Sequence, residues 1–400
     1  MKPFDIGVVG AGMTGLTAAA LLSQCEHRER LRITVVDADA RPRHSASDPV
    51  DLRVSAISTG SAALLDSIGA WNTIIATRAC PYEAMRVWDE NGVVESSTTL
   101  RFDAAEFAVR QLGFIVENLL VRRALLDVLD DGDVALEFDA PIRSLDSDGH
   151  RLALRLESGQ ELDADLVVAA DGARSFIRDN VGIPTRDHAY GQVAVVTHLQ
   201  PAESHRHTAW QRFLANGPLG MLPLADGRIS VVWSTSEAQA KASMAADDAE
   251  LGQFLTDASD HVLGALTVAG PRGAFPLCAR HAEHYVRPGL ALVGDAAHAI
   301  HPLAGQGANL GLQDVAKLTE VVDAALARGE NPGDRPVLRR YERARKGENA
   351  AMLHFMTGLN RLFTTDSVLL KELRLTGLRL FNYSGPLRER AVRVALGVSR

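Results

Sequence analysis

The 400-residue chain has few cysteines, few aromatic residues and no long apolar run. Cys25, Cys80 and Cys278 lie far apart without paired spacing, so we expect no disulfide, redox pair or metal site. No apolar stretch is long enough to cross a bilayer. The formal net charge of −8 argues against binding of nucleic acid. Because Met1–Asp5 leads into a predicted strand rather than a signal peptide, we expect a cytoplasmic protein.

Glycine is present in informative places, first directly after the apolar run Ile6–Val9. In the pattern that follows, Gly10 permits a sharp turn and Gly12 lets the backbone approach a pyrophosphate. Gly15 lets the next helix, predicted from Leu16 to about Ser23, pack closely on the strand. The N-terminus of that helix would direct its free N–H groups at phosphates. The pattern predicts a dinucleotide site without choosing between FAD and NAD.

Acidic residues follow three predicted strands, which favours FAD. Asp37 ends the strand Leu31–Val36, about 20 residues after the last glycine, where it suits the adenosine ribose. A second strand ends in Asp171, before a helix that Ser175 would cap. A third strand ends in Asp295, where a carboxylate can accept hydrogen bonds from ribitol hydroxyls. An NAD dehydrogenase would not return to its cofactor in this way.

A glycine-rich loop follows Asp295 and precedes another predicted helix. Its backbone N–H groups and the helix dipole would stabilise negative charge on the N1–O2 edge of a reduced flavin. The residues concerned are Gly305, Gly307, Ala308 and Asn309. His298 and His301 lie nearby, but they lack a third ligand at metal-site spacing, so we interpret them as structural and expect no metal.

Together these motifs resemble the single-component FAD-dependent aromatic hydroxylases of the para-hydroxybenzoate hydroxylase fold. Within that group the chain most resembles the ubiquinone-biosynthesis hydroxylases that oxidise polyprenylated phenols. The matching stretches are Gly10–Gly15, Asp51–Ser58, Gly113–Asn118, Asp165–Ser175 and Leu292–Asp314, with a weaker match at Arg339–Lys346.

The resemblance implies an α/β fold: a discontinuous Rossmann-like FAD-binding domain, a mainly β substrate domain and a C-terminal helical segment. We expect the FAD-binding domain to comprise residues 1–80, 105–183 and 275–335. The substrate domain would comprise residues 81–104 and 184–274, and the helical region residues 336–400. Strands predicted near residues 191–198, 208–214 and 228–235 would form a sheet that covers the flavin. Four of the domain's apolar side chains could contact the substrate ring or belong to the hydrophobic core: Phe213, Met221, Leu222 and Trp233.

The resemblance also implies residue roles. The three glycines hold the pyrophosphate, and Arg53 approaches the FAD phosphates or the flavin, unless it forms a surface salt bridge. Asn118 lies near the flavin and ribityl chain, unless it caps the helix that follows it. Asp171 would contact the pyrophosphate region and incoming NAD(P)H. In the loop beside the flavin, Pro302 and Gln306 are the best candidates for positioning the reacting ring.

The implied reaction uses NAD(P)H to reduce FAD and O₂ to form a flavin C4a-hydroperoxide, which hydroxylates the phenol. No second glycine-rich turn is present, so NAD(P)H would dock transiently. Alternatives are a hydroxylase of another aromatic substrate, a flavin halogenase, a prenyl reductase and a catalytically idle FAD-binding accessory subunit. Residues 85–89 and 339–346 favour the hydroxylase that acts first, at ring position 5, over the paralogue acting later.

Basic residues outnumber acidic ones from Thr365 to Arg400. This tail predicts either a helix packed on the FAD-binding domain, which we favour, or peripheral contact with the inner face of the membrane or with another ubiquinone-biosynthesis protein.

Overall fold

The computed structural model describes residues 2–45, 47–147, 151–300, 307–364 and 384–397. The elements up to residue 147 are β1 (Phe4–Val9), α1 (Met13–Gln24), β2 (Leu31–Val36), β3 (Val54–Ser58), α2 (Thr59–Ser67), α3 (Trp71–Thr77), β4 (Cys80–Tyr82), β5 (Ala84–Asp89), β6 (Leu100–Asp103), β7 (Gly113–Glu117), α4 (Asn118–Asp130), β8 (Ala135–Glu137) and β9 (Ile142–Ser147).

Residues 151–300 form β10 (Leu152–Leu156), β11 (Glu161–Ala164), β12 (Leu166–Ala169), α5 (Phe176–Asn180), β13 (Thr185–Pro201), β14 (Thr208–Leu214), β15 (Gly217–Pro223), β16 (Ile229–Ser236), α6 (Glu237–Ala245), α7 (Asp248–Ala258), β17 (Leu266–Ala282), β18 (Val286–Arg287), β19 (Leu290–Leu292) and β20 (His298–Ala299). The remaining helices are α8 (Gly307–Ala327), α9 (Arg335–Thr364) and α10 (Pro386–Ala395).

A six-stranded sheet forms the first half of the fold, in the order β18-β19-β12-β1-β2-β8. All its pairs are parallel except that of β18 with β19. Both faces are covered, which explains why β12 and the Ile6–Val9 part of β1 are continuously apolar. Leu16 of α1, Leu125 of α4 and Leu312 of α8 belong to the same buried cluster as Val8 and Val168. This arrangement confirms the predicted Rossmann-like architecture.

An eight-stranded sheet forms the second half, in the order β20-β17-β13-β16-β15-β14-β5-β6. The predicted strands near residues 191–198, 208–214 and 228–235 are parts of β13, β14 and β16. Smaller sheets, β11-β10-β9 and β3-β7-β4, flank the two large ones. The domain boundary expected between residues 274 and 275 falls inside β17, and the division into domains stays a prediction.

The two faces of the eight-stranded sheet have different neighbours. Met221 and Trp233 share a buried cluster with Leu251 and Leu255 of α7. Leu222, one residue along β15 from Met221, packs instead against the cluster of Ala56, Cys80, Ile115 and Leu224. Because side chains alternate along a strand, the second face is turned toward β3 and β7.

The C-terminal helices pack on both halves. The later part of α9 contributes Met356 and Phe363 to a cluster with Phe213, and the Phe213 and Phe363 rings stack with centroids 3.8 Å apart. Val392 of α10 and Leu396, just after it, pack with Ala104 and Leu112. Residues 365–383, which hold much of the basic tail, lie outside the described residues. Among the helices described, none combines the length and apolar character needed to span a membrane.

Candidate active site

The carboxyl ends of β1, β2, β12 and β19 meet at one edge of the parallel sheet. The glycine turn, Asp37, Asp171 and Asp295 follow these four ends, so topology gathers motifs that lie far apart in sequence. Ligands of open α/β sheets bind at this edge. We call the recess at this edge, bordered on its other side by the eight-stranded sheet, the cleft.

The glycines of the turn serve different purposes. Gly10 has φ +101°, and a Cβ there would lie 2.5 Å from the carbonyl oxygen of Ala170. A Cβ on Gly15 would lie 1.9 Å from the Gly10 carbonyl oxygen, so helix and turn are in direct backbone contact. A Cβ on Gly12 would meet nothing within 4 Å. The open space at Gly12 fits an incoming pyrophosphate.

Asp37 fastens this turn to the end of β2. One carboxylate oxygen accepts a hydrogen bond from the backbone N–H of Ala11, and the other accepts one from the N–H of Asp39 at 2.8 Å. Arg122 of α4 donates to the Ala11 carbonyl at 2.9 Å. Each oxygen of Asp37 keeps a lone pair that a ribose hydroxyl can use.

Asp171 has an oxygen that fits a bound cofactor. Its Oδ2 accepts from the Ile177 N–H at 3.0 Å, whereas Oδ1 is buried without a partner among the described residues. Burial raises the pKa of this carboxyl group. Ser175 caps α5 by accepting from the Arg178 N–H at 3.0 Å, as predicted. A buried acceptor without a donor is rare in a folded protein, and a cofactor hydroxyl would satisfy it.

Arg178 connects the Asp171 and Asp295 regions. Its fully buried guanidinium donates to the carbonyl oxygens of Ala173 at 3.2 Å and Ala296 at 3.1 Å. Asp295 keeps a solvent-exposed surface. Desolvation by the protein atoms around it raises the pKa of its carboxyl group, and the charges of His298 and Arg53 oppose the rise.

Arg53 therefore acts electrostatically on the carboxylate predicted to bind ribitol. Its side chain is exposed and forms no salt bridge with the part of the chain that the structure describes. An exposed guanidinium in this position is suited to a phosphate or a reduced flavin.

Asn118 begins α4 without capping it. Its Oδ1 accepts from the Ser55 hydroxyl at 2.7 Å, and its N–H donates to the Arg53 carbonyl at 2.9 Å. The N-cap position of α4 is Glu117, which makes no side-chain cap bond. Asn118 thus holds the chain on either side of Val54, next to Arg53.

The start of α8 is fastened to β3 by Asn309. The buried Asn309 side chain accepts from the Ser58 N–H at 2.9 Å and donates to the Ala56 carbonyl at 2.8 Å. Gly307 has open space around it, and Ala308 packs against the main core. The other residues predicted for this loop, Pro302, Gly305, Gln306 and His301, lie outside the described residues.

Asp314 is a central buried group that sequence reasoning missed. Its Oδ2 accepts from His298 Nε2 at 2.5 Å and from the Gly294 N–H at 3.1 Å. Its Oδ1 accepts from Arg345 Nε at 2.9 Å and Asn349 Nδ2 at 3.0 Å. Burial alone would raise the pKa of Asp314, but these partners outweigh it and lower the pKa. An aspartate among Leu310, Leu312 and Val315 was the available signal.

Thr14 was also missed. A Cβ on Gly294 would lie 3.0 Å from Thr14 Oγ1, and one on Gly311 would lie 2.8 Å from the same atom. The Thr14 side chain therefore fills a space that only two glycines leave open. This packing joins the first glycine motif to the last.

The sheet face that borders the cleft carries small residues. β-Strand pairing places Val196, Val232 and Gly220 side by side on β13, β16 and β15, with Gly273 of β17 next to Val196. A Cβ on Gly220 would meet only the Val232 carbonyl, at 3.6 Å. Phe275 of the same face is 41% exposed. Of the four candidate ring contacts, Leu222 and Phe213 lie on this side, whereas Met221 and Trp233 belong to the opposite core.

The three cysteines are free thiols, as expected from their spacing. Glu26, His27 and Asp323 place one potential metal ligand each within 4.8 Å of one another. His27 already donates to Asp323 from its backbone and lies 3.0 Å from it through Nδ1. We therefore interpret this group as a hydrogen-bonded contact between the turn after α1 and α8.

Comparison with known proteins identifies the family. A family model described as an FAD binding domain matches residues 4–356. The chain belongs to this family. The 3-demethoxyubiquinol 3-hydroxylase of Escherichia coli (strain K12) is 36% identical over 399 residues, covering 99% of both chains. The mitochondrial ubiquinone biosynthesis monooxygenase COQ6 of Xenopus tropicalis is 32% identical over 437 residues, covering 98% of this chain and 93% of the relative.

Solved structures agree on the fold. The crystal structure of P. aeruginosa PqsL with 2-aminobenzoylacetate has a TM-score of 0.77 and 21% identity, over 94% of this chain and 99% of that one. The relatives confirm the predicted membership among the ubiquinone-biosynthesis hydroxylases, and with it an FAD-dependent aromatic-ring monooxygenase. FAD is thus the cofactor of this protein.

Proposed function

We propose that this monooxygenase hydroxylates the ring of a polyprenylated phenol in ubiquinone biosynthesis, with NAD(P)H as reductant and O₂ as co-substrate. The observation that carries the proposal is identity along nearly the whole length with relatives named for ubiquinone biosynthesis. The unpartnered oxygen of Asp171 and the open space at Gly12 support FAD binding in the cleft.

Bound FAD supplies the chemistry by which O₂ is activated for ring hydroxylation. The residues of the chain bind and orient it. Asp171 Oδ1 and Asp295 would accept hydrogen bonds from cofactor hydroxyls, and Arg53 would balance negative charge beside them. Backbone N–H groups at the start of α8 would stabilise negative charge on the flavin, because the positive end of the helix dipole lies there. Pro302 and Gln306 stay predictions for positioning the ring.

The sheet face above the cleft would exclude water and accept the substrate. Gly220 leaves room above it for a planar ring, and Phe275 offers an exposed apolar surface on the same face. Excluding water favours hydroxylation over side reactions of the activated oxygen.

Two hydroxylation steps are candidates. Sequence motifs favour the step at ring position 5, whereas the name of the E. coli relative points to hydroxylation of 3-demethoxyubiquinol. Deleting the gene in its host and identifying the accumulated quinone precursor by mass spectrometry distinguishes them. A precursor that lacks one ring oxygen supports the proposal, and its substitution pattern gives the position. Normal quinone levels would leave a hydroxylase of another aromatic substrate.

We further propose that the enzyme is cytoplasmic and contacts the inner face of the membrane peripherally, because a prenylated substrate resides in the membrane. Phe355 and Leu362 of α9 are 62% and 37% exposed, and their spacing of seven residues places them on one face of the helix. Arg361 is exposed beside them. Such a face is suited to anionic lipid. We expect the purified protein to float with anionic vesicles and Phe355→Glu to reduce this. Flotation unchanged by the substitution would favour contact elsewhere, and no flotation would favour a protein partner.

A further inference from the structure

His198 of β13 is fully buried, and neither ring nitrogen has a hydrogen-bond partner among the described residues. Ser230 lies directly opposite on β16, also fully buried, and its hydroxyl is likewise without a partner. Unpaired buried polar atoms are costly, so two neighbouring side chains of this kind indicate a role beyond packing.

The pair lies on the sheet face that is turned toward the cleft. His198 is on the same side of β13 as Val196, and Ser230 is opposite Leu222 in β15. The Leu52 backbone acts on the His198 ring as a hydrogen-bonding group, although neither ring nitrogen reaches the distance and angle of a full hydrogen bond. The Leu52 side chain approaches Gly273 of the same sheet, where an added Cβ would lie 3.0 Å from it.

Leu52 belongs to the short segment Asp51–Arg53, which the other half of the fold also holds. The Asp51 N–H donates to Glu117 Oε2 at 2.6 Å, and the Arg53 carbonyl accepts from the Asn118 N–H at 2.9 Å. The segment is therefore held by Glu117 and Asn118 on one side and faces His198 on the other.

Burial, more than the surrounding charges, lowers the pKa of the His198 ring. Burial lowers the pKa of His198, and the charge of Arg228 lowers it further, against smaller opposing effects of Asp226 and Glu117. Both acids are themselves paired, Asp226 with Arg228 at 2.7 Å and Glu117 with Arg78 at 2.7 Å. A neutral imidazole offers one donor and one acceptor.

We propose that His198 is a positioning residue that supports Leu52, directly or through one water shared with Ser230, and thereby holds Arg53 in the FAD cleft. The inference rests on the proposed role of Arg53 in binding FAD. Because a hydrogen bond contributes modestly and only through the placement of Arg53, its loss should weaken FAD binding without abolishing it.

The test is a double-mutant cycle on the full-length protein, with the dissociation constant for FAD measured by flavin fluorescence. We expect Arg53→Ala to weaken FAD binding about tenfold and His198→Leu about fivefold. The double variant should bind no more weakly than Arg53→Ala, since His198 acts through Arg53. His198→Gln, which keeps hydrogen-bonding capacity, should stay within about twofold of the parent. If His198→Leu does not fold, His198→Thr carries the same expectation.

His205→Leu is the matched control, because it removes another buried histidine whose partners are Leu224 and His207. It should lower the melting temperature without changing FAD affinity. Additive effects of His198→Leu and Arg53→Ala would overturn the inference, as would equal losses in the Leu and Gln variants. Unchanged FAD binding in Arg53→Ala would overturn the role of Arg53 itself. If Arg53→Ala weakens FAD binding and His198→Leu does not, the role of His198 is overturned and that of Arg53 stands.

Discussion

Two buried carboxylates near the cleft differ in their hydrogen bonding. Asp314 accepts hydrogen bonds from His298, Gly294, Arg345 and Asn349, whereas Asp171 leaves Oδ1 without a donor among the described residues. The first carboxylate joins α8, α9 and the turn after β19 into one frame. The second carboxylate has an oxygen left over for a donor from outside the described residues. The comparison indicates that Asp314 serves stability, whereas Asp171 is available to bind a cofactor.

Removing the charge of Asp314 should have the largest effect on folding. Asp314→Asn leaves His298 and Arg345 buried without their carboxylate, and we expect a loss of about 3 kcal/mol in the free energy of unfolding. Thermal and urea unfolding measure it. Asp257→Asn is the control, since its carboxylate is 59% exposed and should change stability little. Equal stabilities of the two variants would contradict a stabilising role of Asp314.

The two carboxylates should also respond to pH in opposite directions. The pKa of Asp314 is lower in the folded protein, so its contribution is present above the unfolded pKa and is lost as pH falls through the folded pKa. The pKa of Asp171 is raised by burial, so its ionised form costs stability at neutral pH, and that cost disappears on acidification. Asp314→Asn should therefore flatten the loss of stability that we expect for the parent protein as pH falls.

Two glycine variants of the Gly10–Gly15 turn should separate an effect on stability from an effect on FAD binding. Gly15→Ala drives a Cβ against the Gly10 carbonyl and should cost about 1–3 kcal/mol of stability. Gly12→Ala has space for its methyl group, so the apoprotein should melt normally while FAD affinity falls. Comparing melting temperatures with FAD dissociation constants checks this. A destabilised Gly12→Ala apoprotein would show that the turn is packed at both positions.

Asp171→Asn tests the unpartnered oxygen directly. We expect FAD binding to weaken roughly tenfold, because a charged acceptor for a cofactor hydroxyl is lost. The apoprotein should be as stable as the parent or more so, since a buried charge is removed. A large loss of apoprotein stability would mean that Asp171 serves the frame instead.

Gly220→Val should have the smallest effect on both stability and FAD affinity. The valine methyl groups would enter the space above position 220, so KM for the aromatic substrate should rise about tenfold while FAD affinity stays unchanged. Met221→Leu, on the opposite face of the same strand, is the control and should leave KM unaltered. Steady-state kinetics with a prenylphenol distinguishes them. An unchanged KM in Gly220→Val would move the substrate away from this face.

Much of the cofactor side could be predicted from local patterns. The Gly10–Gly15 turn and the acids that end β2, β12 and β19 are set by strand, turn and helix preferences within short windows, and the structure brings them to one edge. Asp314 was not predictable, because its partners Arg345 and Asn349 come from another helix and carry no local signal.

The amino-acid sequence by itself determined the family, the cofactor and the order of the elements, since glycine turns and apolar strands follow from local chemistry. Only the tertiary structure decided which side chains face the cleft. Leu222 and Met221 are chemically alike neighbours on one strand, and a strand places successive side chains on opposite faces. The position of His198 beside Leu52 likewise depends on the packing of two sheets, which no stretch of sequence encodes alone.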